Sequence, residues 1–268
     1  MKGNGVFKRI ITGIILAALA VIASGCSGGE DRSLQKVLDK GEFVLGYDHN
    51  HPPSGYLDEN GNAVGFDIDL AREVCDRMGI KLICKDIDWD QKEKLLKSGK
   101  IDCIWNGLTV NEMRAREMNL SEPYMQNTPV FVVAPDSDIE YLNDLKGKFI
   151  GIQSGHSAEE SITESSIYSS ITIVEEENND ELFDDLYSGQ IDAIVLDSVV
   201  AYYFLSEGTY EFKILSATLK IEDYAVGFRK GDDALMEKVE EILHEMKEDG
   251  TLANISIKWF GKDVTTLK

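Results

Sequence analysis

The sequence predicts an α/β protein built as two lobes, each a mostly parallel sheet flanked by helices, and three observations carry that expectation. Helical and strand-like segments alternate from Ser33 onward in the manner of an open α/β sheet. A nine-residue phrase occurs twice, as Leu96-Lys97-Ser98-Gly99-Lys100-Ile101-Asp102-Cys103-Ile104 and as Leu186-Tyr187-Ser188-Gly189-Gln190-Ile191-Asp192-Ala193-Ile194. Each copy reads as a helix end, a Ser-Gly stop and a short buried strand. The alternation also restarts after Pro123-Tyr124, which makes the middle of the chain a series of its own.

Taken in order, a helix over 33–40 leads to a strand over 43–47. The next helix follows Gly65 and carries Ala71, Val74, Cys75 and Met78 on one buried stripe. A strand over 81–86 and a helix over 90–97 then deliver the first copy of the phrase. The second series has a strand over 128–134, a short helix over 141–145 and a strand over 149–152. Ser157-Ala158-Glu159-Glu160 reads as a capping box, and a strand over 171–174 and a helix over 180–187 deliver the second copy. A strand over 224–228 and an amphipathic helix with Leu235, Val239, Ile242, Leu243 and Met246 on one face close the chain. Periodicity does not say which lobe that helix packs on. If it returns to the first, the two crossings form a hinge, and the lobes are 33–123 with 223–268, and 124–222.

The first 25 residues read as an export signal: Lys2, Lys8 and Arg9 precede a short apolar run that ends in small residues before Cys26. Small residues before a cysteine resemble the lipobox of bacterial lipoproteins, which implies lipidation of Cys26, a tether over 26–32 and anchoring on the outer face of the cell membrane. The chain carries 27 Lys+Arg against 48 Asp+Glu, a net charge of −21, and the signal holds three of the cations and no acid. Such a surface repels nucleic acid and anionic lipid, so a nucleic-acid partner is not expected. Beyond Cys26 the cysteines are Cys75, Cys84 and Cys103, whose spacing matches no CxxC site. They read as free core thiols or as a Cys75–Cys84 disulfide with one left over. His49 and His51 have no second ligand cluster beside them, so neither a metal nor a cofactor is expected.

The two copies of the phrase lead into segments of opposite charge. The first strand runs into Trp105-Asn106-Gly107-Leu108-Thr109 and then Arg114, the second into Val195-Leu196-Asp197. Ligands of α/β sheets bind beyond the carboxyl ends of strands, so two such ends facing one another suit a zwitterion. Each residue also has a plainer reading. Thr109-Val110-Asn111-Glu112 is itself a capping box, Arg114 fits a surface ion pair, and Asp197 fits the N-cap of a helix over 198–205.

Gly65-Phe66-Asp67-Ile68-Asp69-Leu70 resembles the signature of the solute-binding proteins of bacterial polar amino-acid ABC importers, solute-binding protein family 3. The likeness extends through the Asp48 strand end, Gly107-Leu108-Thr109 with Arg114, Ser121-Glu122-Pro123-Tyr124, Asp144-Leu145-Lys146-Gly147-Lys148 with Ser154-Gly155, and Asp249-Gly250-Thr251 with Lys258-Trp259-Phe260-Gly261. It implies a two-lobed type II periplasmic-binding-protein fold, monomeric, that closes on one L-amino acid and delivers it to ABC permease subunits. By that resemblance Arg114 clamps the ligand carboxylate, Thr109 assists it, His156 and Ser157 form a helix start facing it, and Gly107 and Asp197 hold the ammonium. Asp48, His51, Trp89, Asn106 and Gln153 complete the ligand-binding set. The family places an aromatic residue where this chain has His51, and an imidazole adds hydrogen bonding and charge to stacking. The wording around Trp89 and Trp105 leans toward cystine or another polar or cationic amino acid. No catalytic residue is expected. The alternatives are an enzyme resembling cyclohexadienyl dehydratases on the same fold, or a sensor input domain.

Overall fold

The computed structural model describes residues 30–268, so the signal and Cys26 lie outside the described residues. Residues Ser33–Lys268 form one unit. In chain order its elements are α1 (Ser33–Lys40), β1 (Glu42–Tyr47), β2 (Asn50–His51), β3 (Gly55–Leu57), β4 (Ala63–Val64), α2 (Phe66–Met78), β5 (Lys81–Asp86), α3 (Lys92–Lys97), β6 (Cys103–Thr109), α4 (Glu112–Glu117), β7 (Met118–Leu120) and β8 (Met125–Asn127). They continue with β9 (Pro129–Val133), β10 (Phe149–Gln153), α5 (Ala158–Thr163), β11 (Thr172–Glu176), α6 (Asn179–Ser188), β12 (Ala193–Asp197), α7 (Ser198–Glu207) and β13 (Lys213–Thr218). The last are β14 (Glu222–Arg229), α8 (Asp233–Glu248) and α9 (Thr251–Phe260).

Two sheets repeat one plan. The first has the order β5-β1-β6-β14-β7, with β8 also paired to β14, and the second β11-β10-β12-β9-β13. In each, the three strands nearest one edge are parallel, whereas β14 and β9 run antiparallel to β6 and β12. Both sheets are therefore mixed. The reason is where the chain enters: Pro129 pairs with Asp197 and Tyr224 with Thr109, so each strand arriving from the other sheet starts at the carboxyl edge and must run backward.

The repeated phrase does the same structural work twice. Its glycines, Gly99 and Gly189, take the left-handed conformation that ends a helix. Asp102 accepts the Val44 N–H at 2.8 Å and Asp192 the Phe149 N–H at 2.9 Å, so each side chain satisfies the start of the neighbouring parallel strand. Ile101 and Ile191 then cover Gly46 and Gly151 on that strand. A Cβ added at those glycines would stand 2.7 Å from Ile101 Cδ1 and 2.5 Å from Ile191 Cδ1.

The α8 stripe of Leu235, Val239, Ile242, Leu243 and Met246 packs in one core with Val37, Phe43, Leu45 and the buried face of α2. The second sheet has a core on each face, one around Phe183 and Leu196 and one around Phe131 and Val195. Cys75, Cys84 and Cys103 are free thiols, and burial pushes Cys75 up to about 12. Such a thiol packs as a small hydrophobe.

Candidate functional site

The carboxyl ends of four strands converge. Asp48 follows β1, Thr109 ends β6, Gln153 ends β10 and Asp197 ends β12. Gln153 Nε2 donates to Asp48 Oδ2 at 2.5 Å, and Ser157 Oγ lies 2.9 Å from Thr109 Oγ1. Asn179 Nδ2 donates to the Asn50 carbonyl at 2.8 Å. Each contact joins a segment beside the strand ends of the first sheet to one beside the strand ends of the second.

Arg114 stands on α4, and Asn111 caps that helix by accepting the Arg114 N–H at 2.8 Å. The capping box expected at Thr109 is not formed, since the N-cap falls two residues on at Asn111, and the threonine hydroxyl donates to Glu222 Oε2 at 2.7 Å. The box expected at Ser157 is not formed either. No side-chain cap bond is made, because Ser157 Oγ turns to Thr109 and to Glu222 Oε2 at 2.8 Å, while Ser161 donates to Glu222 Oε1. Glu222 gathers three hydroxyls from both sides of the cleft. The Arg114 guanidinium is buried: Nη1 donates to the Thr109 carbonyl at 2.8 Å, Nη2 to the Gly155 carbonyl at 3.2 Å, and Nε has no hydrogen-bond partner. Burial lowers its pKa, opposed by Glu93, Glu222, Glu160 and Asp197. A cavity of about 290 Å³ opens beside Arg114, Gly155, His156 and Ser157.

At the other pole, buried Asp197 accepts from Asn127 Nδ2 at 2.5 Å through Oδ1. Its Oδ2 faces His156 Nε2 at 3.2 Å and His51 Nε2 at 3.3 Å. The Ala158 N–H donates to His156 Nδ1 at 3.0 Å, which puts the His156 proton on Nε2, where it donates to Asp197. His51 Nε2 is close to Asp197 but lacks hydrogen-bond alignment, so its contact is electrostatic. Burial raises the Asp197 pKa, and the two imidazoles more than reverse that, holding the carboxyl well below the usual range. Asp197 precedes α7 without capping it, and Asn127 Oδ1 accepts the Ser198 N–H at 3.1 Å instead.

Gly107 joins the poles. Its positive φ of 64° suits glycine, and its N–H donates to Asp67 Oδ2 at 2.7 Å. Burial pushes the Asp67 carboxyl up to about 7 despite the Gly107 N–H, with Tyr124 and Trp105 facing it. Asn106 Oδ1 accepts the Asp48 N–H at 3.0 Å, and its Nδ2 has no hydrogen-bond partner. Trp89 is buried, and its ring lies under Lys92, whose Nζ is 5.0 Å from the centroid. That ammonium also donates to the Trp89 carbonyl at 3.1 Å and to the Gly155 carbonyl at 2.9 Å. Burial and then Arg114 bring it down to about 8. Asp48 and Trp89 line a cavity of about 180 Å³.

Lys92, Asn127 and Glu222 were not singled out from the sequence. Asn127 and Glu222 pair with each other where β8 meets β14, and no local motif marks either. Lys92 follows Trp89 by one helical turn, and only the fold shows that its ammonium turns inward.

The chain belongs to the bacterial extracellular solute-binding proteins, family 3, whose pattern matches residues 43–262. The L-cystine-binding protein TcyJ of Escherichia coli (strain K12) is 27% identical over 267 residues, 99% of this chain and 100% of that protein. Among solved structures, Tv2483 bound to L-arginine has a TM-score of 0.86 at 33% identity, covering 89% of this chain and 98% of that one. An ABC uptake transporter substrate-binding protein from Streptococcus pneumoniae with bound histidine has a TM-score of 0.83 at 34% identity, covering 90% and 100%. An ancestral amino acid-binding protein, a precursor of cyclohexadienyl dehydratase, has a TM-score of 0.78 at 31% identity, covering 85% and 99%. The fold is the two-lobed type II periplasmic-binding-protein fold.

Proposed function

We propose that this protein is the substrate-binding component of an amino-acid ABC importer, closing on a polar L-amino acid and delivering it to permease subunits. Arg114 takes the carboxylate and Asp197 the ammonium, with Thr109, Ser157, His156 and Gly107 completing the two poles. Asp48, His51, Trp89, Asn106 and Gln153 meet the side chain, and relatives that bind cystine, arginine and histidine support a polar or cationic one. The lobes are 33–123 with 223–268, and 124–222, hinged where β8 and β14 lead across. Cys26 carries the lipid anchor that holds the monomer on the outer face of the membrane.

The observation that carries this function is the Arg114 guanidinium. Nη1 is fixed by Thr109, Nε is without a partner, and Nη2 holds only the Gly155 carbonyl at 3.2 Å. The Nε–Nη2 edge therefore suits the two oxygens of a carboxylate. Burying a zwitterion costs several kcal/mol per charge unless both ends are paired, and Asp197 supplies the second pairing. A thermal-shift screen of all amino acids and cystine tests the function, since a ligand of the folded state raises the melting temperature. A screen without a single shift refutes it. Capture without catalysis is also part of the proposal, and turnover of prephenate or arogenate by the purified protein refutes that part.

A further inference from the structure

His51 lies on β2, in the small sheet β2-β3-β4, and its imidazole is buried in the cleft at 6% exposure. Nε2 stands 3.3 Å from Asp197 Oδ2, across the cleft. On its other side is Gly107, where an added Cβ would lie 3.1 Å from the same Nε2. The ring nitrogen thus occupies the space between Gly107 and Asp197, the two groups assigned above to the ligand ammonium. Asp197 has little capacity left over. Oδ1 is held by Asn127 at 2.5 Å and Oδ2 by His156 at 3.2 Å, so His51 and an incoming ammonium must share one approach. A protonated His51 is, like the ammonium, an N–H cation drawn to the same carboxylate.

We propose that His51 competes with the amino acid's ammonium for Asp197, so that binding displaces the ring from the carboxylate and expels its proton to solvent.

The charges around His51 set the direction of the effect. Asp197 faces it from β12, Asp48 from the end of β1 and Asp67 from α2. The neighbours from the other elements are Asn179 of α6, Gln153 of β10, Tyr224 of β14, and His156, whose ring centroid is 6.3 Å away. Burial disfavours the imidazolium, but Asp197 foremost, then Asp48 and the ionised fraction of Asp67, outweigh it and raise the His51 pKa above 6.5. When the ligand takes Asp197, His51 loses its largest favourable partner and gains a cation nearby, so its pKa falls. Between the ligand-bound and free values, affinity rises with pH by up to about tenfold per unit as up to one proton leaves. Above the free value the dependence disappears.

Because this rests on the ammonium role of Asp197, the test separates the two. L-arginine and L-cystine serve as calorimetric probes, since at about pH 6 the guanidinium and the second α-amino group of cystine, which titrates at about pH 8, both stay protonated. At about pH 6, titration in two buffers of different ionisation enthalpy counts the protons released. The wild-type protein should release a substantial fraction of one proton per ligand, His51→Gln and His51→Phe should release none, and His244→Gln, at a partly exposed imidazole on α8 outside the site, should retain the release. Affinity of the His51 variants should also vary less between pH 5 and 8 than that of the wild type. Melting curves check that each variant folds, and titration of the His51 ring by NMR in the wild-type protein, with and without ligand, gives the same answer without a variant. Binding without proton release, an unmoved His51 titration, or release that persists in His51→Gln overturns the competition alone. If no amino acid binds, the receptor function fails and the competition with it.

Discussion

Truncating Arg114 to alanine should cost most of the ligand affinity. The guanidinium offers its Nε–Nη2 edge, and the ligand must first displace the Gly155 carbonyl from Nη2. That exchange favours the ligand, because a charged acceptor replaces a neutral one in a buried site. What the variant loses is the charge-assisted pair itself. Removing one partner of a buried hydrogen-bonded charge pair costs about 2–5 kcal/mol, which weakens Kd by roughly 30-fold to several thousandfold. Arg114→Lys keeps the charge but loses the flat fork and should fall between the two. The Thr109 carbonyl also loses the Arg114 donor, whereas the Gly155 carbonyl keeps Lys92, so a stability loss of about 1–3 kcal/mol accompanies the alanine variant. Calorimetry with the amino acid that gives the largest thermal shift, read beside urea unfolding, separates binding from folding. A folded Arg114→Ala protein whose Kd stays within about threefold of the wild type would refute the carboxylate assignment.

Gly151→Ala places a Cβ 2.5 Å from Ile191 Cδ1 and 2.7 Å from Leu182 Cδ2, and overpacking of this kind costs about 1–3 kcal/mol. Ile191→Val removes the nearer atom, so the double variant should lose less in urea unfolding than the two single losses added, and strict additivity would contradict the packing. The Asp67 carboxyl, raised to about 7 from an ordinary 3.8, binds its proton more tightly in the folded state. Its contribution to stability is therefore full below the ordinary value and falls as pH rises toward 7, by up to about 4 kcal/mol. Asp67→Asn cannot ionise, so its stability relative to the wild type should climb across that window, and parallel pH profiles would count against the assignment.

Signals confined to a few consecutive residues translated well into structure. The stripe Leu235, Val239, Ile242, Leu243 and Met246 is buried along one face of α8, and the Leu-x-Ser-Gly-x-Ile-Asp-x-Ile phrase marks a helix stop and a strand in both sheets. The two capping boxes fared differently. Thr109 and Ser157 each have the right residue three places on, but each hydroxyl is turned to donate to the Glu222 carboxylate, which lies within reach only in the folded chain. Glu222 is 113 residues from Thr109, a separation at which no spacing rule operates.

The sequence by itself determined the alternation of elements, the faces they bury, and the opposite charges beyond the two copies of the phrase, because each is set by neighbours along the chain. Tertiary structure decided the direction of β9 and β14, the core that α8 joins, and the partners of the charged groups. A carboxylate's partners depend on distances across the cleft. Asp197 faces His51 and His156 rather than capping α7, and Lys92 reaches the Gly155 carbonyl rather than solvent, only because two strand ends are brought together.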